Sequence, residues 1–163
     1  MTDTDEPARQ RIQELFNRQS LAVLSTQDEG RPYASLVAFM ASADLTALFF
    51  PTDRSTRKFN NLATNPWVAM LIDSRVNQPD DFTDAIAVTA TGTAEEVFEP
   101  ERGPAVSAFL KKHPHLTGFV TAPTSALVRV RVNSYYLVSR FQNVVEVRIT
   151  DPSPRPPPLK ERG

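Results

Sequence analysis

From Leu21 onward the chain is a succession of short apolar runs separated by polar turns, and before that point the apolar residues keep a different period. Ile12, Leu15 and Phe16 share one face at helical spacing, behind a proline at position 7 that suits a first helical turn. This spacing predicts a helix over residues 7–19. Residues 21–26, 31–40 and 45–50 then read as three strands, joined by Gln27-Asp-Glu-Gly30 and by residues 41–44. Connections that short favour antiparallel pairing. Residues 51–54 break the pattern. Ser55 or Thr56 caps a short helix containing Phe59, Leu62 and Ala63, and Asn65-Pro66 ends it. Strands follow at 67–72 and 85–94, with a polar loop at 75–84 between them. Gly92, inside the second of these strands, marks a bulge or bend. Residues 100–112 read as a helix interrupted early by Gly103-Pro104, and 126–132, 135–139 and 144–149 as the last strands. The sum is a mainly β fold with short helices: a six-stranded antiparallel barrel, closed or nearly so.

Composition narrows the chemistry. The 163 residues suffice for one core, placed here over residues 1–150, and residues 151–163 hold five of the 14 prolines and almost nothing to bury. That tail is expected to be extended or disordered. The absence of cysteine excludes disulfides, thiolate metal sites and a cysteine nucleophile. A net charge of -1 supplies no field that would collect nucleic acid or an anionic membrane. No apolar run approaches the roughly 20 residues that span a bilayer, so a soluble, cytoplasmic protein is expected. His113 and His115 flank a proline without cysteines or an obvious acidic partner, which reads as a loop and not a metal site. No Ser-His-Asp set, phosphate loop or carboxylate pair stands out, and no catalytic residue is assigned.

The segment from Phe49 to Pro66 carries the most information. A strand ends, two hydroxyl residues open a helix, and Arg57 and Lys58 occupy its first turn. Cations are disfavoured there by the helix dipole, and an anion such as a phosphate would reverse the sign of that interaction. The alternative is that both side chains point into water. This segment, together with the preceding Leu-Ser-Thr, Gly-Arg-Pro and Ser-Leu-Val steps between Leu24 and Val37, resembles the pyridoxamine-phosphate-oxidase-like FMN-binding split-barrel family. The resemblance covers residues 21–72 well, and 75–92 and the last three strands more weakly.

The resemblance implies a flavin-dependent oxidoreductase, a homodimer with FMN at the subunit interface, and a small-molecule substrate, a reduced nicotinamide among the candidates. Thr52, Thr56, Arg57 and Lys58 would hold the phosphate and ribityl end. Ser35, Leu36 and Val37 would run along the isoalloxazine, mostly through backbone atoms. Arg75 and Asn77, in an Asp-x-Arg-x-Asn run, would lie near the phosphate across the dimer interface, and Arg140 and Gln142 near the flavin edge. Trp67 is assigned to core or interface. The vitamin-processing members carry Arg and Lys in the second strand, where this chain has Ser35 and an apolar Met40 or Ala41, and an aromatic where it has Pro51. Fold and cofactor therefore transfer better than substrate. Haem or a deazaflavin on the same barrel, and a non-catalytic flavin-binding protein, are the alternatives. No histidine follows His115, which counts against haem.

Overall fold

The computed structural model describes residues 5–140 and 143–149, and the proline-rich tail and Gln142 lie outside them. Helix α1 (Asp5–Arg18) buries Ala8, Ile12, Leu15 and Phe16 at the spacing its sequence predicts. Strand β1 (Leu21–Asp28) alternates, with Ala22, Leu24 and Thr26 inward, and pairs antiparallel along its whole length with β2 (Arg31–Ala38). The remaining strands are β3 (Met40–Ala41), β4 (Ala47–Asp53), β5 (Trp67–Asp73), β6 (Ile86–Glu96), β7 (Ser125–Ser139) and β8 (Asn143–Arg148). Between them lie α2 (Arg57–Thr64), α3 (Asp81–Asp84), α4 (Arg102–Lys112), a 3-10 turn at Pro114–Leu116 and α5 (Thr117–Thr121).

The strands form one antiparallel sheet in the order β2-β1-β5-β6-β7-β4-β3, with β8 added to β7. Its two terminal strands, β2 and β3, are consecutive in the chain and separated by Phe39 alone. A sheet whose first and last strands are joined by one residue must curl back on itself, which is how this split barrel closes. Phe39 is fully buried against Phe16, with ring centroids 5.6 Å apart, and its N–H donates to the Ser20 carbonyl. The run at 31–40 is thus two strands that change partner at Phe39, a break its continuous apolar pattern does not show. Conversely, the runs at 126–132 and 135–139 are a single long strand. Thr91 faces Ser134 and Gly92 faces Val132, so Asn133 is the extra residue of a bulge opposite Gly92.

Inside the curl sit Phe16, Leu24, Phe39, Leu48, Phe50, Met70, Tyr135 and Leu137, each at most 1% exposed. Tyr135 donates its hydroxyl to the Leu45 carbonyl at 2.7 Å, so its polar tip is satisfied in the core. No helix among the described residues is long and apolar enough to cross a membrane.

The end of α4 docks on the closure point. Lys112 Nζ donates to the Phe16 carbonyl at 2.8 Å and lies over the Phe39 ring. His113 stacks on Phe109, and its Nε2–H donates to the Phe39 carbonyl oxygen, 2.8 Å away. Burial lowers the His113 pKa, and the Phe39 bond only partly opposes that. The unfolded chain therefore takes up a proton at higher pH than the folded one. Stability should be fully present above the ordinary histidine pKa of about 6.5 and fall as pH drops through it. Burial pulls Lys112 down to about 8, so below about pH 7 it is mostly protonated and adds little to the slope. Thermal melts between about pH 7.5 and 5.5 should show the decline. His113→Gln, which retains a donor and does not titrate, should flatten it.

Candidate functional site

Both strands bordering the closure have free backbone edges. β2 pairs with β1 on one side only, and β4, paired with β7 on one edge, meets β3 on the other only at Leu48 and Phe49. Beyond the Phe39 junction no ladder joins β2 to β4 among the described residues, leaving a seam with an open backbone edge on each side. Ser35, Leu36 and Val37 lie along the β2 side. Leu36 is 66% exposed on the outer face, whereas Ser35 and Val37 face inward, opposite Leu24 and Ala22. The Ser35 hydroxyl oxygen is buried and has no hydrogen-bond partner among the described residues.

Helix α2 stands at the far end of β4. Thr52, 1% exposed, places its hydroxyl 3.0 Å from that of Thr56. Thr56 donates to the Asp53 carbonyl at 2.7 Å and caps the helix by accepting the Phe59 N–H. The Asp53 carboxylate accepts both the Ser55 hydroxyl and amide, which holds its pKa below the ordinary value. Arg54 is committed elsewhere: its guanidinium grips Glu96 at 2.9 and 3.2 Å and the Pro123 carbonyl at 2.9 Å. Arg57 and Lys58 are not. Neither makes an ion pair among the described residues, and the first turn contains no acid. Arg57 is exposed and lies over the Tyr33 ring, 5.2 Å from its centroid, and Lys58 is half-buried. The Arg57 and Lys58 amides also head the helix, where no carbonyl of a preceding turn can take them. The helix itself is pinned by a buried bond from Asn61 to the Thr26 hydroxyl on β1, at 3.1 Å.

Arg75, Asn77 and Arg140 are gathered at the opposite end of the sheet. Arg75 follows β5 and pairs with Asp73 at 3.1 Å. Asn77 has a left-handed backbone, φ 62°, in a loop tied down by Asp81, which accepts the amides of Val76, Asn77 and Gln78. Those bonds hold the Asp81 carboxyl below its usual pKa. Arg140, exposed and with φ 50°, follows Ser139, the β7 partner of Ile86. Beneath the loop lies a groove of about 670 Å³ whose walls include Leu71, Phe82, Ala87 and Val138. Arg57 lies over Tyr33, whose partner Thr26 stands beside the start of β5, and Arg75 leaves the end of β5, so the length of that seven-residue strand, about 20 Å, separates the two groups. One chain does not bring Arg57 and Arg75 together.

Between these two ends the outer face of β2, β1, β5 and β6 is uncharged, and charge appears beyond β7, at Glu146 and Arg148 on β8. Leu36, Val23, Leu71, Thr89 and Tyr136 form one continuous cross-strand row over β2, β1, β5, β6 and β7. Ala34, Ser25, Ala69 and Thr91 form the next. Tyr33, Asn61 and the groove under the 75–82 loop are the parts of this region that sequence patterning does not reveal. No group of three or more histidine, aspartate or glutamate side chains suited to a metal ion occurs among the described residues.

Comparison with known proteins adds a family and a fold. The family pattern described as pyridoxamine 5'-phosphate oxidase matches residues 8–139. No curated protein matches the chain in sequence. Among solved structures, the haem binding protein from Mycobacterium smegmatis is similar with a TM-score of 0.71 and 21% identity, over 80% of this chain and 53% of that one. This chain thus spans about half of that protein. An FAD-binding protein from Mesorhizobium loti gives a TM-score of 0.62 and 16% identity, over 79% and 90% of the two chains. General Stress Protein 26 from Bacillus anthracis gives 0.64 and 18%, over 87% and 98%. At these identities the likeness is one of fold.

Proposed function

The chain belongs to the pyridoxamine 5'-phosphate oxidase family, and from that premise we propose that it is a cytoplasmic FMN-binding protein working as a flavin-dependent oxidoreductase. The observation that carries the reading is the start of α2, where two cations without an ion pair among the described residues, and two helix-end amides, follow the Thr52–Thr56 hydroxyl pair. A phosphate would supply the anion this helix end lacks. The seam fits the rest of the group: the free β2 edge offers backbone donors and acceptors, and the Ser35 hydroxyl lacks a partner of its own among the described residues.

FMN, when bound, supplies the redox chemistry, and the protein supplies binding, orientation and exclusion of water. In this division Arg57, Lys58, Thr52 and Thr56 hold the phosphate, and the Ser35–Val37 backbone orients the ring system. A second copy completes the site. The uncharged outer face is the surface on which it packs, and a twofold arrangement there carries the Arg75 and Asn77 end of one chain toward the α2 end of the other. Arg140 and Gln142 remain flavin-edge candidates by the same reading. The substrate is a small molecule, with a reduced nicotinamide as the first to try.

Haem is the principal rival, and the histidines speak against it. His113 is 2% exposed and bonded to a backbone carbonyl, which leaves only the exposed His115. An absorbance spectrum of the purified protein separates the two. Flavin bands in the blue are expected, and a dominant Soret band without them would replace this reading with a haem-binding one.

A further inference from the structure

We propose that Tyr33 is a positioning residue for the cofactor phosphate, acting through Arg57; this rests on the FMN reading above. Arg57 is an exposed side chain whose one described contact is the face of the Tyr33 ring, 5.2 Å from guanidinium to centroid. Without that contact a long, solvated arginine would sample many rotamers, and binding would have to order it. The ring is 37% exposed, but the backbone that carries it is anchored. Tyr33 pairs with Thr26 across the β1–β2 ladder, and Thr26 receives the buried Asn61 bond from α2. Strand and helix are thereby fixed relative to one another, and the Tyr33 ring holds the guanidinium beside the first turn of α2. Tyr33 needs only its aromatic face for this, since no hydrogen bond to its hydroxyl enters the arrangement.

The test compares FMN with riboflavin, which lacks the phosphate, on Tyr33→Leu and Tyr33→Phe. Leucine keeps an apolar strand residue and removes the ring; phenylalanine keeps the ring. A cation–π contact at an exposed site should make Tyr33→Leu bind FMN about two- to fivefold more weakly. Riboflavin affinity should be unchanged, Tyr33→Phe should restore FMN binding, and the effect should vanish in an Arg57→Ala background. Equal losses for FMN and riboflavin, or a loss that persists without Arg57, would overturn the assignment and make Tyr33 a flavin-stacking or purely structural residue. If the unmodified protein binds neither compound, the FMN reading itself fails and this assignment falls with it.

Discussion

Replacing Arg57 and Lys58 together by alanine is expected to weaken FMN binding by about 2–4 kcal/mol, roughly thirty- to a thousandfold. Each charge-assisted hydrogen bond to a phosphate contributes about 1.5–3 kcal/mol, and the exposure of Arg57 to solvent reduces its share. Riboflavin binding should change little, because the lost charges face only the phosphate. The dependence of FMN affinity on salt should flatten for the same reason. Folding should be unaffected or slightly improved. Neither side chain makes an ion pair in the described structure, and cations in a first helical turn oppose the helix dipole. Isothermal titration with both ligands, alongside a thermal melt, checks all of these. An unchanged FMN affinity would remove the phosphate from α2.

Gly92→Ala is expected to cost more than about 3 kcal/mol of folding stability, the largest effect of an added methyl at any described glycine. A Cβ at position 92 would overlap the Arg131 carbonyl oxygen and crowd the Val132 Cα, both backbone atoms of the central strand pair. No flexible side-chain end is available to move aside. The bulge at Asn133 would have to be repaired, shifting a ladder that runs from Ile86 to Glu96 against β7. Gly118→Ala, in α5, is the control: a Cβ there meets nothing within 4 Å, and loss of glycine's backbone freedom should stabilise by about 0.4–1 kcal/mol. Urea unfolding of the two variants should therefore move in opposite directions. A Gly92→Ala protein as stable as its parent would mean that the bulge is not fixed by this contact.

The legible parts of the fold are those whose cause is local. Period-two burial in β1, the helix face of Ile12, Leu15 and Phe16, the Thr56 cap and the glycine at the bulge all follow from neighbours a few residues apart. The illegible parts depend on partners distant in sequence. Phe39 reads as one more apolar strand residue, and only the partners of β2 and β3 make it the closure point. Tyr33 gains its role from a cation on another element, and Asn61 from a hydroxyl 35 positions away. α3 and α5 are four and five residues long, too short for periodicity to register. In the site, the candidates at α2 and along β2 lie on elements that are both tied to β1, with Arg57 over the Tyr33 ring. Those at 75, 77 and 140 form a second cluster at the other end of the sheet, and sequence order carries no sign of that separation.

The central claim is that this chain holds FMN by its phosphate in the seam beside α2, and its most direct test is a fluorescence titration of FMN at known chain concentration. Saturable quenching at about one FMN per chain, much tighter than for riboflavin, is the predicted result. Absence of saturable quenching, or equal affinity for the two flavins, would contradict it.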